Sequence, residues 1–309
     1  MLGAVLATIL FSCSAVSARQ LVKWLPGTEV NFWRLTLATL LLGLWAHTFG
    51  GGMGGGALAV FLISGAIGFG LGDIALFQTY PRLGTRLTVM MVNCLAAPFA
   101  ALTEWLWLGN RLSLAEAACG AAILAGVATA LAPGENPHLE RRALTAGIAF
   151  GTVAALGQGL GAVLSRKAYA VAEAAGQPVD GITAAYQRVL GGLFITGLFL
   201  LFLRRKKFFG VDETVAPSAT PALTPRERWR TAAPWLAFNA LVGPTLGVSS
   251  YQWALLTKGT GVVLPIVAIT PLIVIPFAVW MGEERPSRRA LIGGVIAVAG
   301  AVVLVLVSR

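Results

Sequence analysis

Four ionisable side chains lie within long apolar stretches of the sequence: Arg34, Asp73, Glu104 and Arg188. A charge at the centre of a membrane-spanning helix costs roughly 2.5–3.5 kcal/mol, so such residues are functional candidates by default. An arginine can bind a carboxylate or phosphate through two parallel hydrogen bonds. A buried aspartate can carry a proton or bind a cation. Arg34 and Arg188 therefore suggest anion binding, and Asp73 suggests proton coupling or substrate binding.

Each of these residues also has a structural interpretation. Arg34 and Arg188 could extend toward the lipid headgroups or brace neighbouring helices, and Asp73 could be the internal partner of an arginine such as Arg34. Glu104 stands between two tryptophans, a composition typical of the membrane interface, and we expect it there rather than in a coupling site. Further candidates for substrate binding or coupling are Gln158, Asn93, Ser12, Tyr251 and Gln252. Candidates for gating are the helix-interrupting prolines Pro98, Pro265, Pro271 and Pro276.

The composition excludes several classes of protein. Hydrophobic residues make up 57% of the 309 residues and charged residues only 12%, against about 25% charged in a soluble domain. The net charge is +10, and most of the basic residues lie between the apolar runs. This distribution is typical of residues that orient a membrane protein in the bilayer, and it does not favour nucleic-acid binding. The three cysteines and two histidines are scattered, so we expect no metal site, disulfide framework or cofactor. The sequence has no HExxH, GxSxG or Walker motif, and a membrane-embedded enzyme is a remote alternative.

Ten apolar segments are about as long as a membrane-spanning helix requires, roughly 20 residues. A helix satisfies its own backbone hydrogen bonds in lipid, so the sequence predicts an all-α polytopic membrane protein. The first segment lacks the preceding basic residue of a signal peptide, so we expect it to remain as a span. The segments cover residues 2–19, 30–47, 57–78, 85–108, 113–132, 144–165, 181–203, 232–255, 260–281 and 288–307.

The two halves of the chain resemble each other. The matching pairs, in order, include Ser14 with Gly161, Arg34 with Arg188, Leu71-Gly72 with Leu246-Gly247, Gly84-Thr85 with Gly259-Thr260, and Pro98 with Pro271. This predicts two five-helix repeats, residues 1–136 and 137–309. Because five is odd, the second repeat enters the membrane from the opposite side, the inverted design of many secondary transporters.

The distribution of basic residues predicts the orientation of the chain. Most lysines and arginines fall in the connections on one face, including the long basic loop 204–230. Basic loops are enriched on the cytoplasmic side. We therefore expect a multi-pass protein of the cell (inner, cytoplasmic) membrane with loop 204–230 in the cytoplasm and both termini outside.

Three segments resemble the EamA family of the drug/metabolite transporter superfamily. They are Gly72-Asp73-Ile74-Ala75-Leu76-Phe77 with Gly84-Thr85-Arg86, the stretch from Pro98 to Ser113 with Gly120 and Gly126, and the stretch from Pro271 to Ser287 with Gly294 and Gly300. Two departures lie at Asn110, where the family often has an acidic residue, and at Phe11-Ser12, where it often has Trp-Gly. The resemblance implies a transporter and leaves the substrate open.

Together these features predict a secondary active transporter of a small metabolite that works by alternating access. Export of an amino acid or similar amphiphile is the first expectation, with proton coupling through Asp73 left open. An exchanger of organic anions, sugar phosphates or nucleotide sugars, using Arg34 and Arg188, is the alternative. The expected partners are the metabolite and the lipid bilayer, with no nucleic acid; protons as a partner and the oligomeric state are left open.

Overall fold

The computed structural model describes residues 2–108, 113–131, 141–208, 224–258, 266–282 and 286–307. In these ranges the regular structure is helical, as the apolar runs predict. The α-helices are α1 (Leu2–Leu21), α2 (Gly27–Thr48), α3 (Leu58–Gly65), α4 (Asp73–Leu108), α5 (Leu114–Leu131), α6 (Arg141–Ala174), α7 (Gly181–Phe208), α8 (Pro225–Ala240), α9 (Val248–Lys258), α10 (Thr270–Trp280) and α11 (Arg288–Val307).

Among the described helical stretches, four are long and apolar enough to cross a membrane: Leu2–Leu21, Leu58–Thr103, Arg141–Ala174 and Gly181–Arg205. The second of these contains a break at Gly84, whose φ of 74° lies in the left-handed region. Glycine adopts this region without the steric penalty that a Cβ atom brings. The break falls where the sequence predicts one span to end and the next to begin. The full count of ten spans stays a prediction.

Two seven-residue π-helical turns interrupt the helices at corresponding places in the two halves. Turn π1 (Ala66–Gly72) joins α3 to α4, and turn π2 (Leu241–Gly247) joins α8 to α9. Both turns end at the Leu-Gly pairs that the sequence comparison matches. In a π-turn the backbone hydrogen bonds join residues five apart instead of four apart, and such turns are frequent at functional sites. The carbonyl oxygen of Phe69, in π1, accepts a hydrogen bond of 3.1 Å from Asn31 Nδ2.

Small residues allow several helices to pack at close range, as is common in membrane proteins. A Cβ atom on Gly191 of α7 would overlap the carbonyl of Leu62 in α3. A Cβ atom on Gly126 of α5 would lie 2.6 Å from the carbonyl oxygen of Gly293 in α11. By contrast, a Cβ atom on Gly120 would meet nothing within 4 Å.

The prolines predicted as gating elements have different positions. Pro98 lies inside α4, and Pro276 lies inside α10. Pro271 stands in the first turn of α10, where a missing N–H group leaves no intrahelical bond unmade. Pro271 therefore lies at the start of α10, directly after a turn at residues 268–269. Pro265 lies outside the described residues.

Candidate functional site

A cavity of about 780 Å³ lies between the two halves of the chain. Its size falls within the range of roughly 300–1,000 Å³ that is usual for small-molecule sites. Much of the wall is apolar and small, with alanines from α4 and valines from α4 and α9. Three of the four ionisable residues predicted from the sequence line it: Arg34, Asp73 and Arg188. The side chain of Glu104 is outside what the structure describes.

Arg34 and Asp73 form a buried ion pair between α2 and the start of α4. Arg34 Nη2 donates to Asp73 Oδ2, and the two residues are only 5% and 1% exposed. Arg34 Nε donates to Asn31 Oδ1 at 2.9 Å. The guanidinium carbon lies 4.8 Å from the centroid of the Phe77 ring. The structural interpretation of Asp73, as the partner of Arg34, thus describes its contacts in this conformation.

Arg188 is equally buried but has different partners. Its Nε donates to Ser64 Oγ at 3.0 Å, and its guanidinium carbon lies 5.0 Å from the centroid of the Phe69 ring. The residue is 4% exposed. Within the described ranges no carboxylate lies within ion-pair distance of this guanidinium. Neither arginine extends to the headgroups, because both side chains are buried and line the cavity.

The two arginines have related surroundings. Ser64 and Asn239 each stand two residues before a π-turn. Ser64 Oγ donates to the carbonyl oxygen of Gly161 at 2.7 Å, and Asn239 Nδ2 donates to that of Ser14 at 2.7 Å. Gly161 and Ser14 are positions that the sequence repeat pairs. The contacts across the two halves are thus alike on both sides of the cavity.

A glycine stands close to each guanidinium. A Cβ atom placed on Gly68, the third residue of π1, would be 3.6 Å from Arg188 Nη2. A Cβ atom on Gly243, the third residue of π2, would be 3.6 Å from Arg34 Nη1. Each half therefore presents its arginine to the π-turn of the other half.

The weaker polar candidates separate into two groups. Gln158, Asn93 and Tyr251 line the cavity. Ser12 is fully buried and donates to the carbonyl oxygen of Thr8 at 2.9 Å within α1. Gln252 is also fully buried, and its Oε1 accepts from the Tyr169 hydroxyl at 2.9 Å. Ser12 and Gln252 therefore lie in helix packing, away from the cavity wall.

Two charged residues at the cavity edge were missed by the sequence reasoning. Arg166 is exposed in the last third of α6, and Glu116 stands in the first turn of α5. The backbone N–H of Ser113 donates to Glu116 Oε2 at 2.6 Å, and that of Glu116 donates to Ser113 Oγ at 3.2 Å. This reciprocal capping box has a readable sequence signal, serine followed by glutamate three residues later.

Comparison with known proteins gives the family. The sequence profile of the EamA-like transporter family matches residues 1–132 and 145–306, nearly the whole chain in two parts. The chain belongs to the EamA-like transporter family. This confirms the resemblance carried by the sequence motifs. EamA proteins are multi-pass membrane transporters of the drug/metabolite type rather than enzymes, and the apolar helices described above agree with this class.

A solved crystal structure is similar in fold to this EamA chain. The two have 18% sequence identity and a TM-score of 0.60, and the match covers 99% of this chain and 97% of the other. At this identity the likeness concerns the fold alone. No protein with a curated description matches the sequence.

Proposed function

We propose that this EamA protein is a secondary active transporter that moves a small metabolite by alternating access. One observation carries the proposal: a single cavity is lined by buried charged groups from both halves, Arg34 and Asp73 from the first and Arg188 from the second. Buried charges on a shared cavity are typical of substrate and ion pathways. Rocking of one half against the other would expose such a site to each side in turn.

The proposal includes two inverted five-helix repeats, residues 1–136 and 137–309. The matched π-turns support this arrangement, because each one ends at a Leu-Gly pair of the repeat. The contacts of Ser64 with Gly161 and of Asn239 with Ser14 also support it. A repeat unit that had duplicated would give such paired contacts across its symmetry axis.

The described conformation fits a cavity open to the outside. Ser113, Glu116 and Arg166 lie at its edge, in or next to connections that the charge distribution predicts to be outside. At the other end, Phe77 and Tyr80 belong to a buried cluster with Leu21 and Leu236. That cluster would be the closed gate on the cytoplasmic side of the inner membrane.

The substrate that we propose is an amino acid or similar amphiphile, moved outward. The mixed wall, apolar with a few buried charges, suits a compact molecule with one polar end. Proton coupling would act through Asp73. Protonation of this carboxylate would remove its charge from the pair with Arg34 and change the charge of the cavity.

Transport by reconstituted protein tests the function. Proteoliposomes loaded with an amino-acid mixture are expected to take up labelled amino acids by exchange faster than protein-free vesicles. Ala162→Trp, which fills the cavity wall on α6, is expected to abolish this uptake. The matched control is Val153→Trp on the same helix, because Val153 is 49% exposed on the outer surface. Equal uptake by the two variants would contradict a transport route through this cavity.

Proton coupling has its own test. An imposed pH gradient is expected to drive uptake by the parent protein and not by Asp73→Asn, which cannot exchange a proton at that position. If the variant responded to the gradient as the parent does, Asp73 would not be the coupling residue.

A further inference from the structure

The buried charges of the cavity do not balance. Arg34 and Asp73 neutralise each other through their ion pair, whereas Arg188 has no carboxylate partner in the described parts of the chain. The inner cavity therefore carries an excess of about one positive charge. An uncompensated buried charge is costly, and proteins retain one where function needs it.

The geometry around Arg188 leaves one part of its guanidinium free to bind. Nε is engaged by Ser64 Oγ, and one face lies against the ring of Phe69. Among the described residues, Nη1 and Nη2 donate no hydrogen bond, and the side chain lines the cavity. The paired nitrogens of a guanidinium match the two oxygens of a carboxylate.

The wall beyond Arg188 indicates the rest of the ligand. Tyr251, Phe11 and Val248 line the cavity together with the alanines of α4. These apolar side chains favour a ligand with an apolar body, and the lining also contains the amides of Asn93 and Gln158, with Arg166 at the cavity edge. Arg34 is already paired with Asp73, so it is not available to share a doubly charged phosphate.

We propose that Arg188 is the substrate anchor and that the substrate is a compact apolar molecule with one carboxylate. This rests on the proposed transport function and narrows its substrate class. The sequence alone could not make this distinction, because it presents Arg34 and Arg188 as equivalent positions of a repeat. The Asp73 side chain removes that equivalence, since its counterpart in the second half is Val248.

Binding to the purified full-length protein tests the assignment with defined probes. The probes are 4-methylpentanoate, L-leucine, leucinamide and sn-glycerol 3-phosphate, measured by isothermal titration calorimetry. We expect the two carboxylates to bind, and leucinamide and the phosphate to bind at least about tenfold more weakly, because a hydrogen-bonded charge pair contributes roughly that factor or more. Comparison of 4-methylpentanoate with leucinamide separates the carboxylate from the ammonium group.

Variants of two arginines on the same helix complete the test. Arg188→Gln is expected to raise the Kd of the carboxylates by roughly 10- to 100-fold. Arg188→Lys keeps the positive charge but loses the two parallel N–H donors of the guanidinium, so it should raise the Kd by an intermediate amount. It replaces Arg188→Gln in the test if the glutamine variant does not fold. Arg204→Gln, at an exposed position of α7, should leave the Kd unchanged.

Several results would overturn the assignment. They are equal binding of leucinamide, preferential binding of the phosphate, binding of none of the probes, or unchanged carboxylate affinity in both Arg188 variants. The transporter proposal is judged separately, by the uptake difference between Ala162→Trp and Val153→Trp. The substrate class can therefore fail while transport through the cavity stands.

Discussion

Replacing Asp73 with asparagine would leave the Arg34 guanidinium buried without its carboxylate. Removing one partner of a buried ion pair typically destabilises a protein by about 3–5 kcal/mol. Arg34 would keep its hydrogen bond to Asn31 and its contact with Phe77. Both residues of the pair also line the cavity. We therefore expect a loss near the lower limit, about 3 kcal/mol of unfolding free energy.

A double-mutant cycle isolates the pair from these other contacts. Arg34→Gln is expected to cost a similar ~3 kcal/mol, because it leaves the Asp73 carboxylate unpaired. The double variant has no unpaired charge from this pair, so we expect it to lose no more than either single variant, at most about 3 kcal/mol, rather than the sum of the two single losses. The coupling energy would then be at least about 3 kcal/mol, at the upper end of the usual range.

The assay is unfolding by sodium dodecyl sulfate in mixed micelles, followed by circular dichroism. A second cycle, Asp73→Asn with Arg188→Gln, provides the matched control, because the described ion pair of Asp73 is with Arg34. We expect clearly weaker coupling in this control. Additive losses for Asp73 and Arg34, within about 0.5 kcal/mol, would refute the ion pair as the main stabilising contact of Asp73.

Three further predictions concern packing and access. Gly191→Ala should destabilise the protein by about 1–3 kcal/mol, because the added Cβ atom would overlap the backbone of α3. Gly120→Ala is the control and should not destabilise the protein, because its Cβ atom would meet nothing within 4 Å. Equal unfolding midpoints for the two variants would contradict this packing. Asn239→Ala should cost about 1–3 kcal/mol in the same assay, since its buried amide donates to α1; an unchanged midpoint would count against that contact. In two chains that each keep a single cysteine, a membrane-impermeant thiol reagent added outside should label Asn93→Cys in the cavity and spare the native, buried Cys94. The reverse pattern would be evidence against an outward-open cavity.

The general architecture could be predicted because its physical signals are local. Long apolar runs predict helices in lipid, and Gly84 occurs where the structure has a positive φ. Arg34, Asp73 and Arg188 could be identified because ionisable residues are conspicuous in an apolar run. Only the three-dimensional fold shows that these three residues line one cavity.

Other features of the site had no signal of this kind. A helix that is apolar on all sides has no amphipathic stripe, so the sequence does not indicate which face is buried. Ser12 therefore could not be told from Ser14, although only Ser14 lines the cavity. The π-turns were missed although π1 and π2 share a glycine at the third position and a final Leu-Gly, because such residues also occur within the α-helices of this chain.

The sequence suggested that Asp73 could pair with Arg34, but not that this pairing leaves the cavity with a net positive charge. A repeat makes Arg34 and Arg188 look equivalent, and only the contacts show that one of them is neutralised. The charge imbalance of the cavity is a property of side-chain geometry. It could not be obtained from the residue types alone.

We propose that the two halves of this EamA protein cross the membrane in opposite senses around one cavity. This arrangement can be tested with reporter tags that are active on only one side of the membrane, inserted at Gly52 and at Pro217. We expect the Gly52 tag to report the outside and the Pro217 tag to report the cytoplasm. Detection of both tags in the same compartment would contradict the inverted arrangement.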